Sequence, residues 1–347
     1  MLRRSIRHAG ALALAAAALT TLAAGPVKGR ELPPGVEALI EGAKKEGEIT
    51  VYGRTLKPSA VRAFSKRLNA FYGFPIELNM GGGFHTKKAA EVALAIKKGV
   101  PTGFDVFWTS YSTSVRLERS GAVQKVDWVK ELGIPASLRA SEYGVKSHDV
   151  SLCFVTYNTN LVKDSEAPRS WDDLLDPKWK GRIAMPRSPS PWIYLATAIG
   201  EEKATALLTE IMAKGQAKMM ARFPDVRGKV LTGEFALSIG TDAFKQIRQG
   251  APVKMAPIDP IALSNWSYYL MSDTKSPNLA KLWAYWITTP DGQQALNEID
   301  GTGFVTTEGN DLNKLAAGKK IGWLTREYVQ ENGLRLRKKY GKIMGLR

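Results

Sequence analysis

Cysteine is almost absent from this chain of 347 residues. The single thiol, Cys153, excludes an internal disulfide framework and any zinc site built on cysteines. It lies in the apolar run "VSLCFV", which predicts a buried and inert side chain. It is also far from the N-terminal segment, so no lipid-anchored cysteine is expected at the start of a processed chain. Histidine is scarce too, limited to His8, His85 and His148, which is too few for a histidine-based metal site. No stretch is apolar for long enough to span a bilayer as a helix. The common catalytic motifs are missing: there is no Gly-x-Ser-x-Gly and no His-Glu-x-x-His. "GGGFHTKK", Gly81 to Lys88, lacks the fixed spacing of a phosphate-binding P-loop, and Gly301, Gly303 and Gly309 form no dinucleotide fingerprint. A secreted enzyme would have only His85 and His148 as bases near neutral pH.

Acidic residues are outnumbered, 33 against 49 Lys and Arg, for a formal charge of +16. Such a surplus suggests a nucleic-acid partner, yet no basic helix face, aromatic-basic RNA motif or zinc knuckle accompanies it. The cations are dispersed, with one cluster, "RLRKKYGK", near the C-terminus, read here as a solvated face. Residues 1–30 read as an export signal. Arg3, Arg4 and Arg7 precede an Ala/Leu run, and small residues from Thr21 to Gly25 suit a signal peptidase. The Arg3-Arg4 pair matches a twin-arginine signal only loosely. The expected location is a bacterial periplasm, without a lipid anchor.

Beyond that segment the chain alternates between two kinds of pattern. "EITVYG", "FPIELNM" and "FDVFW" read as strands, separated by helical patterns in "PSAVRAFSKRLNAFYG" and "TKKAAEVALAIKKG". A second series follows, with strands "RIAMP", "FALSIG" and "PVKMAP" and helices "PWIYLATAIG", "EEKATALLTEIMAKG" and "DAFKQIRQG". This order predicts an α/β protein with mainly parallel sheets and helices on their faces. Ligands of such sheets bind at the carboxyl ends of strands. The residues that follow those ends are Arg54, Gly82, Gly83, Thr86, Ser110, Tyr111, Ser112, Arg187, Ser188, Ser190, Thr241 and Asp242. Glycines, hydroxyls and guanidinium groups at helix starts favour an anion. His85 after the glycines is either a ligand contact or simply exposed. His148, beside Asp149 in what reads as a polar loop, is expected at the surface. Trp192 and Tyr194 are expected in the core.

"SWDDLLDPKWKGRIAM", residues 170–185, resembles the signature of bacterial periplasmic solute-binding proteins of the ferric-iron type, the soluble receptors of ABC importers. "AKKEGEITVYG", "FDVFW", "FVTYNTN", "QGAPVK" and "SPNLAKLWAYWITTPDGQQAL" match in the same order. The resemblance implies a two-lobed type 2 periplasmic-binding fold, with two crossing strands as the hinge and the ligand in the interlobe cleft. Lobe one would be 31–153 plus 257–310 and lobe two 156–255, with C-terminal helices in 311–347 packing across both. The crossings would lie near "CFVTYNTN" and "KMAPIDP". "GGGFHTKK" then looks like a cleft-facing turn rather than a nucleotide loop.

Members of this family that bind Fe3+ use a tyrosine-rich cluster with an adjacent Tyr-Tyr pair before the second crossing. Here that place reads "SIGTDAF", so Thr241 and Asp242 stand where phenolates are needed, and one Asp is a poor substitute for a hard cation's ligands. Tyr268-Tyr269 falls after the crossing, in a strand-like run that would point the two side chains to opposite faces. Arg187 resembles the arginine that holds the synergistic anion in iron-binding relatives. Tyr157 could face the cleft from the crossing strand or pack beneath it. The expectation is a monomeric receptor with no cofactor, not an enzyme. It would pass a phosphonate, sulfonate, sugar phosphate or carboxylate to an inner-membrane ABC permease. The alternatives are a ferric receptor using a carried anion, with Asp242 as a metal ligand, a secreted two-lobed enzyme, and a sensor partner of a membrane kinase.

Overall fold

The computed structural model describes residues 31–346, so the segment read as an export signal lies outside the described residues. Eleven strands are formed among the described residues: β1 Glu48–Gly53, β2 Glu77–Gly82, β3 Val106–Ser110, β4 Gly144–Val150, β5 Phe154–Asn158, β6 Ile183–Pro186, β7 Ala217–Met220, β8 Leu237–Gly240, β9 Val253–Met255, β10 Ile261–Leu270 and β11 Ile321–Leu324. They make two sheets. A six-stranded sheet runs β11-β10-β3-β1-β2, with β4 on the other side of β10, and a five-stranded sheet runs β7-β6-β8-β5-β9. The helices used below are α1 Pro58–Tyr72, α2 His85–Lys97, α3 Tyr111–Arg119, α4 Ser190–Ile199, α5 Glu201–Ala213, α6 Phe223–Leu231, α7 Phe244–Arg248, α8 Pro277–Thr288 and α9 Arg326–Ile343.

Local chemistry explains most of these elements. Helix α1 has Pro58 in its first turn and stops at Gly73, whose φ of 76° is the left-handed cap that glycine adopts without a Cβ penalty. It buries Ala60, Phe64 and Leu68 at helical spacing. Strand β1 alternates exposed and buried positions, while Val106 to Thr109 of β3 are all buried.

Each sheet has its own core. The first gathers Ile49, Val51, Phe64, Trp108, Trp283 and Trp286. The second gathers Trp171, Trp179, Trp192, Leu208 and Ile239. The tryptophans of the signature stretch are therefore core side chains, and the Trp171 indole N–H donates to the Pro260 carbonyl at 2.9 Å. Asp173 of the same stretch accepts from the Arg169 and Ser170 N–H groups. The signature specifies packing and a turn. Cys153 is buried, as expected from its apolar run, and so are Trp192 and Tyr194. Tyr268 and Tyr269 enter two different apolar clusters, on opposite faces of β10.

Two expectations need correction. His148 and Asp149 are not in a polar loop at the surface. They lie on β4, with 1% and 5% of their surface exposed. Their polarity is absorbed locally: His148 Nδ1 lies 3.0 Å from Ser147 Oγ, and Asp149 accepts from the Val305 N–H at 2.7 Å. The segment after residue 310 is also not purely helical, because Ile321–Leu324 pairs in parallel with Ile261–Ser264 of β10. Those four residues carry no strand periodicity of their own, and the long partner supplies the pairing.

Asp105 ties the first sheet together. It is 8% exposed and accepts from the Thr50 N–H at 2.8 Å, Thr274 Oγ1 at 2.7 Å, the Lys275 N–H at 3.1 Å and the Ser276 N–H at 3.2 Å. Asp105→Ala leaves these donors unpaired and is expected to cost about 3 kcal/mol in urea unfolding. A loss below about 1 kcal/mol would contradict the stated role of this carboxylate.

Candidate functional site

The strand registers bring two edges face to face. In the first sheet β1, β2 and β3 are parallel and end together at Gly53, Gly82 and Ser110. Antiparallel β10 pairs Trp266 with Ser110, and β4 pairs Val150 with Ser264, so β4 leaves and β10 enters at that same edge. In the second sheet β6 and β8 are parallel, and Gly240 at the end of β8 pairs with Phe154 at the start of β5. The chain passes between the sheets at residues 151–153 and again at 256–260. Both passages join the carboxyl edges, so the loops bearing most of the candidate residues border one gap.

Within the gap the predicted residues separate into groups. Ser110, Tyr111 and Ser112 from the first unit and Ser190 from the second line one cavity of about 90 Å³. Ser110 and Ser112 hydroxyls are 3.1 Å apart, and Ser188 donates to Ser190 Oγ at 3.2 Å. Arg187 follows β6 and is exposed, with no ion pair or side-chain hydrogen bond among the described residues. Thr241 and Asp242 leave the adjacent β8. Arg227 of α6, which sequence reasoning missed, reaches both, at 3.5 Å from Thr241 Oγ1 and 3.4 Å from the Asp242 carbonyl. Nothing in "PDVRGKV" distinguished that arginine from a surface one.

Arg54 is not the free cation that its strand-end position predicts. Its Nη1 lies 2.5 Å from Asp300, whose side chain is 3% exposed. Removing one partner of such a pair costs about 3–5 kcal/mol, so Arg54 is committed to the fold before any ligand arrives. Asp242 shares this neighbourhood. Burial pushes its carboxyl upward, while the Arg54 and Arg227 charges pull it down and Asp300 reinforces the rise. Two guanidinium groups and two carboxylates make this corner close to neutral. Lys245 and Arg248 of α7 reach across to the Ile299 and Asn297 carbonyls at 2.9 and 2.6 Å.

The remaining predicted residues have other partners. A Cβ on Gly82 would lie 2.2 Å from the Gly53 carbonyl oxygen, so close β1–β2 pairing demands that glycine. Gly83 is exposed, and a Cβ there would lie 3.0 Å from the Tyr52 hydroxyl. Thr86 is exposed in the first turn of α2. Tyr157 is not brought into the gap. It packs in the second core and donates to Asp164 at 2.8 Å, because residue 157 lies three positions inside β5 from the gap edge. His85 is half-buried, with Nδ1 at 3.1 Å from Thr109 Oγ1 and its ring 4.9 Å from that of Trp266.

A roomier cavity of about 420 Å³ opens elsewhere, reaching Asn265, Asp149, Trp323 and Arg326. Asn265 points to the opposite face of β10 from Ser264 and Trp266, which line the smaller cavity. Its polar floor is already paired, Tyr111 to Asn265 and Asn265 to Asp149. The smaller cavity, which joins both units, is the better ligand site. Among the described residues, no group of three or more His, Cys, Asp or Glu side chains is arranged to hold a metal ion.

A family model described as bacterial extracellular solute-binding protein matches residues 123–332. No curated protein sequence matches the chain. Among solved structures, an ABC transporter substrate-binding protein from Bradyrhizobium japonicum USDA 110 is 16% identical, with a TM-score of 0.67 over 86% of this chain and 99% of that one. A ferric binding protein from Campylobacter jejuni is 17% identical, with a TM-score of 0.66 over 86% of this chain and 100% of that one. The periplasmic binding protein AfuA from Actinobacillus pleuropneumoniae, with exogenous fructose-6-phosphate bound, is 17% identical, with a TM-score of 0.66 over 87% and 99%. These likenesses establish the periplasmic-binding-protein fold.

Burial gives the region around the gap a pH signature. Burial, aided by Arg54, lowers His85 from 6.5 to about 4, and it drives His148 well below its usual value. Burial raises Asp149 from 3.8 to about 6. A lowered histidine binds more protons unfolded, so its contribution to stability grows as pH rises from about 4 to 6.5. A raised carboxyl does the opposite, losing stability as pH rises from 3.8 to about 6. Between about pH 4.5 and 6.5, urea unfolding of His85→Gln should therefore show a shallower rise than wild type, by at most about 3 kcal/mol. Asp149→Asn should steepen the rise. Unchanged slopes in both variants would contradict this assignment.

Proposed function

The chain belongs to the bacterial extracellular solute-binding proteins, and we propose that it captures a small anionic solute between its two sheets for an ABC importer of the inner membrane. The observation that carries this reading is the shared cavity. Ser110 and Ser112 from one unit meet Ser190 from the other, so a solute hydrogen-bonded there would bridge both. Such a solute would favour the arrangement in which the units approach, and a permease would recognise that arrangement. The chemistry is binding alone. Export to the periplasm, as the first thirty residues suggest, would put the receptor where its solute arrives.

The anionic character rests on unequal use of the arginines. Arg54 is neutralised by Asp300, whereas Arg187 is exposed, has no partner among the described residues, and precedes Ser188 and Ser190 in the chain. An unpaired guanidinium next to hydroxyl donors suits a phosphonate, sulfonate, sugar phosphate or carboxylate. The fold is shared with both a ferric binding protein and a fructose-6-phosphate complex, and the donor set here supports the anion reading. Ferric iron requires several anionic oxygens. Tyr268 and Tyr269 are buried in sheet packing, and Thr241 and Asp242 supply one carboxylate.

Native mass spectrometry of protein purified gently from a periplasmic extract is expected to reveal an organic anion without metal. Arg187→Ala should weaken its binding roughly 10- to 100-fold, the worth of a charge-assisted hydrogen bond. Added salt should weaken wild-type binding more than it weakens the variant. An added mass of iron, with or without an anion, would replace this reading with the ferric one.

A further inference from the structure

The cavity shared by the serines has a fourth wall that comes from the far end of the chain. Val329, Gly333 and Arg337 of α9 all line it. Their spacing of four puts them on one helix face, one above another. Arg337 stands in the basic cluster read from sequence as a solvated surface. It is exposed and has no ion pair or side-chain hydrogen bond among the described residues, while its neighbours are committed. Arg335 and Lys339 both pair with Glu201, at 2.6 and 2.9 Å, and Leu336 and Tyr340 are fully buried. Arg326, one residue after the N-cap of α9, grips Glu118 of α3. The helix is thus fixed against both units, and the position of Arg337 is fixed with it.

Gly333 makes the second point. Glycine is a poor helix former, yet it sits inside an 18-residue helix without a left-handed φ to require it. A Cβ there would meet only Val329 of its own helix, at 3.4 Å. The space above Gly333 is open and belongs to the cavity. Any large side chain at this position would fill it.

We propose that Arg337 is the cation that receives the acidic head of the solute, and that this head is a compact tetrahedral oxyanion. The proposal rests on the cleft reading above and deepens it. Ser110 and Ser112 after β3, Ser190 at the start of α4 and Arg337 on α9 line the same cavity from three different elements. That arrangement suits oxygens spread in three dimensions better than the flat pair of a carboxylate. A cavity of about 90 Å³ has room for a compact oxyanion group. The rest of the molecule would extend into the gap toward Arg187.

Calorimetric titration at low salt with inorganic phosphate, methylphosphonate and acetate tests this, with circular-dichroism melts to check folding. Wild type should bind both tetrahedral probes more tightly than acetate. Arg337→Ala should weaken phosphate binding at least tenfold, Arg337→Lys less, and Lys338→Ala, an equal change in charge, not at all. Gly333→Met should abolish binding by filling the cavity, and Gly333→Ala should retain it. Should the alanine variant at 337 not fold, Arg337→Lys and Gly333→Met decide the matter. Wild-type affinity in Arg337→Ala and Gly333→Met overturns the proposal, as does tighter binding of acetate than phosphate. If phosphate binding instead falls only in Arg187→Ala, this proposal fails and the cleft reading survives. If wild type binds none of the probes and carries no anion natively, both fail.

Discussion

Strand β10 is the constraint on which the rest depends. It is hydrogen-bonded to β3 and β11 as well as to β4. Its side chains enter four apolar clusters: Ala262 the second core, Tyr268 and Leu270 the first, Tyr269 a third, and Ile261 and Leu263 a fourth that includes Phe154 and Phe244 of the other sheet. Alternation along a strand forces this sharing, because neighbouring residues must serve opposite faces. The same alternation assigns Asn265 to one cavity and Ser264 and Trp266 to the other. A one-residue slip would exchange core and cavity residues along its whole length. That register is why Ser264 and Trp266 face the smaller cavity.

The positive surplus of the chain is best understood by separating committed cations from free ones. Arg54 is bound to a buried carboxylate, Arg326 to Glu118, and Arg335 and Lys339 to Glu201, which they hold down to about 2. These groups hold segments together and offer little to a ligand. Among the described residues Arg187 and Arg337 have no ion-pair partner; Arg337 lines the shared cavity and Arg187 follows β6. Net charge alone could not have made that distinction.

Much of the fold was legible in the sequence because its elements carry their own periodicity and stop signals. Helices α1, α4 and α5 and strands β1, β6 and β8 fall where the patterns put them. Strands β4, β7 and β11 did not announce themselves. "GVKSHDV" looks polar because Ser147, His148 and Asp149 satisfy one another and their neighbours inside the sheet, which only pairing with β10 reveals. Strand-end reasoning pointed to Ser110, Ser112 and Ser190, which line one cavity, and to Arg187, which follows β6. It overestimated Arg54, since Asp300 is distant in sequence, and it included Tyr157, whose depth within β5 depends on register. Arg337 was hidden for a different reason: a helix that crosses from elsewhere leaves no trace at a strand end.

The two passages between the sheets span three and five residues, and α9 touches α3 on one side and α4 and α5 on the other. At about 3.3–3.6 Å per residue, those links are too short to let the sheets slide apart. Helix α9, held to Glu118 of one unit and to Glu201 of the other, is a third tether around the same gap. Any relative movement of the two sheets must therefore be taken up by all three links at once.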